Sequence, residues 1–172
     1  MEAYTLNGEK YYYKNGKWLT SSYMTVPSAL TSQLNKLLVK DVDISGKSVN
    51  ELIDIIDGAK NGNNIQLALK AAECALKKAK TPEIRKLLPR TTSIYRHIGQ
   101  SQKAIEVAEQ YTRKYGKDVY TSALYTSIAA AYCDLEQLDM ARKYANMALA
   151  FSGGNGSGEL KSVYSRLKML EK

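Results

Sequence analysis

Histidine, cysteine and proline are scarce in this chain of 172 residues, which has one His, two Cys and three Pro. So few His and Cys argue against a metal site, because structural zinc takes four such ligands. Cys74 and Cys133 lie far apart inside helical patterns, so we interpret them as buried thiols and not as a disulfide. Unpaired thiols favour a reducing, cytoplasmic location. His97, the only histidine, has no obvious catalytic partners, so we expect neither an enzyme nor a cofactor.

Long apolar runs are also absent. No stretch approaches the roughly 18 consecutive apolar residues that a membrane-spanning helix needs. The first twenty residues alternate tyrosine with polar groups, a pattern unlike a secretory signal. From the sequence we therefore expect no membrane association.

Acidic residues are outnumbered by basic ones. The chain has 25 Lys and Arg against 17 Asp and Glu, which gives a formal net charge of +8 and a pI near 9.3. A surplus of this size favours acidic partners in general, whether peptides rich in carboxylate or phosphate, nucleic acid, or anionic lipid. It does not choose among them.

The first 26 residues are rich in tyrosine and carry two hairpin signals. Asn7-Gly8 and Asn15-Gly16 each separate short β-prone runs, and Asn-Gly is the strongest short signal for a two-residue hairpin turn. We predict an antiparallel three-stranded meander over about 3–6, 9–14 and 17–22, with one aromatic face packed on the following helices. The segment also resembles a single cell-wall-binding repeat, a family whose aromatic side chains cage choline or stack on glucan. Simple hairpin packing is the alternative.

Beyond Val26-Pro27 the hydrophobic period changes from two residues to about 3.6. A stripe of leucines predicts a first helix that ends near residue 39, with Ser28 as a possible cap. Ser48 and Glu51 form a capping box that places the next helix start at residue 49. Ser48 also ends a Gly-Lys-Ser sequence, but a phosphate-binding loop needs glycine where Asp41 stands. We therefore predict segments at 1–26, 27–47 and 48–172.

From residue 49 the sequence repeats itself at intervals of 36 and 37 residues. Such regular spacing is typical of stacked helical hairpins. Small residues recur where two helices must approach closely. The equivalent sets are Ala68, Ala104 and Ala141, then Ala72, Ala108 and Ala145, then Ala75, Tyr111 and Ala148.

These positions resemble the tetratricopeptide repeat (TPR), with three copies over about 49–151. The resemblance implies a mostly α fold, an α-solenoid of antiparallel hairpins whose first helices line a concave groove. Such a stack needs a helix to cover its last apolar face, and residues 160–170 have the matching stripe. The matching positions of the third copy are Tyr125, Ile128, Ala129, Tyr132, Ala141, Ala145 and Ala148.

The resemblance also implies which side chains line the groove. Those on the first helix of the second copy are cationic, with no acid among them, whereas the third copy presents small and polar residues that end at Asp134. Arginine forks suit carboxylate and phosphate. We therefore expect a protein-interaction scaffold that binds an acidic or phosphorylated peptide. The candidate contact residues are Lys86, Arg90, Ser93, Arg96, His97 and Thr126.

Three alternatives remain open for the basic surface. It can be a merely solvated face, a surface that binds nucleic acid, or part of a self-assembling protein that forms homo-oligomers.

Pro89 bears on the shape of the groove. Inside a helix it removes one hydrogen bond and favours a kink; otherwise the helix begins at Pro89.

Overall fold

The computed structural model describes residues 3–15, 17–41 and 43–171 of the chain. Two compact units are present, Met1–Lys78 (unit 1) and Ala79–Lys172 (unit 2). The described residues form eight α-helices and one small antiparallel sheet, which confirms the predicted mostly helical class. None of these helices combines the length and the apolar character that crossing a membrane requires.

The sheet of unit 1 is the predicted meander, with strands β1 (Ala3–Leu6), β2 (Glu9–Lys14) and β3 (Lys17–Thr20) in that order. Asn7 and Gly8 join β1 to β2 with φ values of 53° and 83°, as a type I′ turn requires. Gly16, in the second predicted turn, lies outside the described residues. β3 ends at Thr20, earlier than predicted, because the amide of Tyr23 donates to the Thr20 carbonyl in a tight turn.

Three helices complete unit 1: α1 (Ser28–Asp41), α2 (Val49–Asn61) and α3 (Ile65–Lys78). The α2 start confirms the capping box, because the Glu51 amide donates to Ser48 Oγ and the Ser48 amide donates to Glu51 Oε2. The sheet contacts α1 through β1. Trp18, on β3, adds a hydrogen bond from its Nε1 to Asn35 Oδ1 of α1 at 2.7 Å. Asn35 Nδ2 in turn donates to the Asn63 carbonyl.

Unit 2 consists of two helical hairpins and a last helix. Its central helix, α6 (Ser122–Asp134), contacts α4 (Thr81–His97), α5 (Ser101–Tyr115), α7 (Leu138–Phe151) and α8 (Gly158–Leu170). This helix is buried from Leu124 to Cys133. The last helix packs on α6 and α7 and buries Leu160, Val163 and Leu167 of the predicted stripe, whereas Leu170 of that stripe is exposed. A 3-10 turn (Gly116–Val119) follows α5.

The three hairpins, α2–α3, α4–α5 and α6–α7, share one turn geometry. Asn63, Gly99 and Glu136 occupy equivalent positions after the first helix, with φ values of 56°, 77° and 56°. The next amide in each turn donates to the carbonyl five residues earlier, at 2.8, 2.8 and 3.0 Å. This is the Schellman motif. The eight repeated alanines are all fully buried, so the sequence repeat corresponds to a local structural repeat. A continuous solenoid stays a prediction, since the first hairpin belongs to unit 1 and the other two belong to unit 2.

Of these three residues, Glu136 has the least favourable backbone conformation, because a left-handed φ strains a residue that carries a Cβ. We expect Glu136→Gly to raise the free energy of unfolding by about 1 kcal/mol, measured by urea titration. Glu136→Asn should give a smaller gain, since asparagine tolerates this conformation. The exposed Glu106→Gly, inside α5, is the matched control and should destabilise the protein. A loss of stability in Glu136→Gly would contradict the expectation.

Pro89 lies inside α4, which continues on both sides of it. The helix therefore does not begin at this proline, and the Arg85 carbonyl lacks its usual helical donor. Thr91 and Thr92 follow directly and are fully buried. Their hydroxyls donate to the carbonyls of Leu87 and Leu88 at 2.9 and 2.7 Å. These bonds allow two polar residues to occupy core positions, because a buried hydroxyl needs a partner.

Candidate functional site

Helix α4 carries five of the six predicted contact residues. Lys86, Arg90, Ser93 and His97 are spaced by four, three and four residues, so they share one face of the helix. Lys86 and His97 are exposed, whereas Arg90 and Ser93 are half-buried. The row they form (the α4 row) is about 16 Å long at the helical rise.

Thr126, the sixth predicted residue, lies elsewhere. It is 1% exposed, and its hydroxyl donates to the Ser122 carbonyl at 2.8 Å. Ala130 and Cys133, on the same predicted groove face of α6, are also buried. Burial raises the pKa of the Cys133 thiol, which disfavours the reactive thiolate. The part of the predicted groove that α6 was expected to line is therefore not open to solvent, because α6 is packed among the other helices of unit 2.

A cleft of about 410 Å³ brings together Ser93, Arg96 and His97 at the end of α4. Gly99 and Ser101 form its side at the start of α5, and the remaining lining residues come from the end of α6, Asp134 and Leu135. The cleft therefore combines cationic, anionic and hydroxyl groups.

Asp134 is the centre of an ionic cluster in this cleft. Its Oδ2 accepts from Arg96 Nε and from Ser101 Oγ, both at 2.8 Å. Its Oδ1 accepts from Arg166 Nη2, also at 2.8 Å. Glu159 adds a second acid, 3.7 Å from Arg96 Nη1. The cluster links α4, α5, α6 and α8.

This cluster corrects the expected charge of the groove. The cationic stripe on α4 contains no acid of its own, but Asp134 and Glu159 approach Arg96 from other helices. Two acids thus face the two arginines of the cluster, and their formal charges cancel. Arg96 therefore adds little net positive charge to the surface of α4.

The pKa of Asp134 reflects two opposing effects. Burial alone raises the pKa of this carboxyl, but hydrogen bonds from Arg96, Ser101 and Arg166 outweigh burial and hold the pKa below its usual value. Asp134 is thus held in its charged form at neutral pH, as the partner of both guanidinium groups.

The other end of α4 borders a second cleft, of about 530 Å³. Arg85 and Lys86 line it together with Asp118, so this end also mixes both charges. Thr81, Pro82 and Thr121 complete its wall. Lys86 therefore lines one cleft, whereas Ser93 and His97 line the other. The α4 row runs between the two clefts.

The predicted site residues did not include Ser101, Glu159 or Arg166. Arg166 lies next to Leu167 in the apolar stripe of α8, and a cation beside a buried stripe is a weak sign of a partner across the packing interface. Ser101 and Glu159, in the first turns of α5 and α8, gave no comparable signal.

No protein-family model matches the chain. No curated protein matches its sequence at a significant level. Across residues 3–15, 17–41 and 43–171, no group of three or more His, Cys, Asp or Glu is placed to hold a metal ion.

Proposed function

We propose that the protein is a non-enzymatic interaction scaffold that binds an acidic or phosphorylated peptide along the α4 row. The observation that carries the proposal is the alignment of Lys86, Arg90, Ser93 and His97 on one accessible helix face. Cationic and hydroxyl donors in a row suit an extended chain of carboxylates or phosphates.

The net charge of unit 2 supports an anionic partner. Residues 79–172 contain fifteen Lys and Arg against nine Asp and Glu, so this unit holds most of the positive surplus. A surplus on one unit raises the local concentration of anions and speeds their encounter.

The basic residues have different roles in this proposal. Arg90 Nη1 donates to the Lys86 carbonyl at 2.9 Å, which keeps the guanidinium on the helix surface near Lys86. Lys86 and Arg90 are therefore the primary contacts, with Ser93 and His97 extending the row. Arg96 already binds Asp134, so it shapes the cleft and is a secondary contact at most.

Charge reversal tests the proposal. We expect Lys86→Glu/Arg90→Glu to weaken binding of a fluorescein-labelled hexaglutamate peptide at least about tenfold, because a hydrogen bond to a charged group contributes about 1.5–3 kcal/mol. Fluorescence anisotropy at low salt measures the affinity. Circular dichroism checks that helicity is retained.

Lys103→Glu/Lys143→Glu is the matched control, since it changes the charge of unit 2 equally at two exposed positions on α5 and α7. The control should weaken binding much less. Equal weakening by both double variants would mean that general charge attraction accounts for binding and that the α4 row is not a site. A hexaglutamine peptide should not bind.

We further propose that the chain is a divergent TPR protein. The shared Schellman turns and the eight fully buried alanines support this relationship. Ala59 and the pair Thr91 and Thr92 differ from the residues that the family favours, and all three are buried. The proposal implies that the three hairpins stack into a short solenoid.

A further inference from the structure

The outer face of the unit 1 sheet is distinct from its inner face. The strand register pairs Tyr4 with Tyr11 and Tyr13 with Trp18, and these aromatic residues lie on the inner face, where three of them are buried. Neighbouring residues in a strand point to opposite sides. The outer face therefore carries the alternate set, which is Ala3, Thr5, Lys10, Tyr12, Lys14, Lys17 and Leu19.

This outer face is cationic. Lys10, Lys14 and Lys17 are all exposed, and Lys14 and Lys17 are directly paired across β2 and β3. Glu9 is the only acid among residues 3–15 and 17–26. It lies on the same side of β2 as Tyr11, which is the inner face, and it accepts a hydrogen bond from the Tyr11 hydroxyl at 2.8 Å. No described acid of the sheet thus opposes the three lysines.

The same face presents a pair of stacked tyrosine rings. Tyr12 lies between Lys10 and Lys14 on β2, and its ring is nearly parallel to that of Tyr23, with centroids 6.3 Å apart and an interplanar angle of 16°. Tyr23 is 65% exposed. An exposed aromatic ring beside cations therefore stands on an open sheet surface.

Tyr23 is held there at a conformational cost. Its φ is 59°, a left-handed conformation that a bulky residue rarely adopts and that asparagine or glycine would adopt more easily. The turn that imposes it is closed by backbone hydrogen bonds between Thr20 and Met24 and between Tyr23 and Thr20. Its ring stacks on that of Tyr12, but most of its surface is in solvent.

We propose that this outer face binds single-stranded nucleic acid. Bases stack on aromatic rings, and lysines contact the phosphates between them. Both elements are present on one strand in the order Lys10, Tyr12 and Lys14, with Lys17 adjacent. A neutral glycan would use the aromatic ring but not the three lysines, whereas a duplex would use the lysines but keep its bases stacked away from the ring. The combination favours a single strand.

The site is separate from the one proposed on α4, since all of its residues lie in unit 1. Anisotropy with a fluorescein-labelled twelve-nucleotide oligothymidylate tests it on the full chain. We expect binding that is stronger than to a duplex of equal length. The slope of log affinity against log salt should be about −2, as three phosphate contacts predict for a single strand.

Three variants separate stacking from charge. Tyr23→Asn suits the left-handed turn and should keep the fold while weakening oligothymidylate binding about tenfold. Lys10→Gln/Lys14→Gln/Lys17→Gln should weaken binding further and flatten the salt slope. The charge-matched control, Lys36→Gln/Lys70→Gln/Lys77→Gln, alters three exposed lysines on the helices of unit 1 and should bind nearly as well as the native protein.

Several results would overturn the proposal. One is no measurable binding at low salt; another is a Tyr23→Asn protein that binds as tightly as the native one. Equal affinity for duplex or for inorganic polyphosphate would show a nonspecific polyanion surface. Loss of oligothymidylate binding in Lys86→Glu/Arg90→Glu, with the lysine variant of the sheet unaffected, would place the site on α4. Hexaglutamate binding is read independently, so either proposal can fail alone.

Discussion

Replacing Trp18 with alanine should lower the free energy of unfolding of unit 1 by about 3–5 kcal/mol, the usual cost of truncating a large buried aromatic residue. Trp18 is 4% exposed. Its ring centroid lies 5.1 Å from that of Tyr4 and 5.0 Å from that of Tyr13. Its indole N–H donates to Asn35. Alanine would therefore remove both the aromatic packing of the inner sheet face and its link to α1.

Trp18→Phe separates these two contributions. Phenylalanine keeps most of the buried area but leaves Asn35 Oδ1 without its indole donor, which should cost about 1–3 kcal/mol. Urea unfolding followed by far-ultraviolet circular dichroism measures both variants. Met24→Ala, at a residue that is 67% exposed, is the control and should be nearly neutral. A Trp18→Ala protein as stable as this control would show that the sheet does not depend on the inner face.

Asp134→Ala should destabilise unit 2 by about 2–3 kcal/mol. Hydrogen bonds to a charged group contribute about 1.5–3 kcal/mol each, and Asp134 accepts three. The sum is reduced because the side chain is 25% exposed and solvent screens the pairs. The substitution also leaves Arg96 and Arg166 facing each other without their shared acid. Thermal unfolding monitored by circular dichroism measures the loss.

The same residue predicts an acid dependence of stability. Because the folded-state pKa of Asp134 is lowered, its contribution is complete above the unfolded pKa of about 3.9 and is lost as the pH falls through the folded value. In Asp134→Asn this part of the acid-induced loss should be absent. Asp139→Asn, on the exposed side of α7, is the control. A native protein and an Asp134→Asn variant with identical acid profiles would contradict the assignment.

Features of the fold that depend on nearby residues were predictable from the sequence. The Asn7-Gly8 turn and the Ser48 capping box each place the physical cause within a few residues of its effect. The buried alanines were predictable because they recur at a regular interval. The division between Lys78 and Ala79 has no such local signal, because compactness depends on which helices pack together.

The site was predictable only in part, for the same reason. The spacing of Lys86, Arg90, Ser93 and His97 on one helix face follows from the helical period alone. The partner of Arg96 does not, because Asp134 lies 38 residues away in sequence and Arg166 reaches it only through the packing of α8. Thr126 illustrates the same limit, since it was predicted as a groove contact but is buried by helices that pack around α6.

The position of Trp18 makes the two units optically distinguishable. It is the only tryptophan in the chain and lies in unit 1, so its emission reports the environment of that unit alone. Helical ellipticity, in contrast, is contributed by both units. One urea titration recorded with both signals will therefore show whether the units lose their structure in one cooperative step or in two, without any added label.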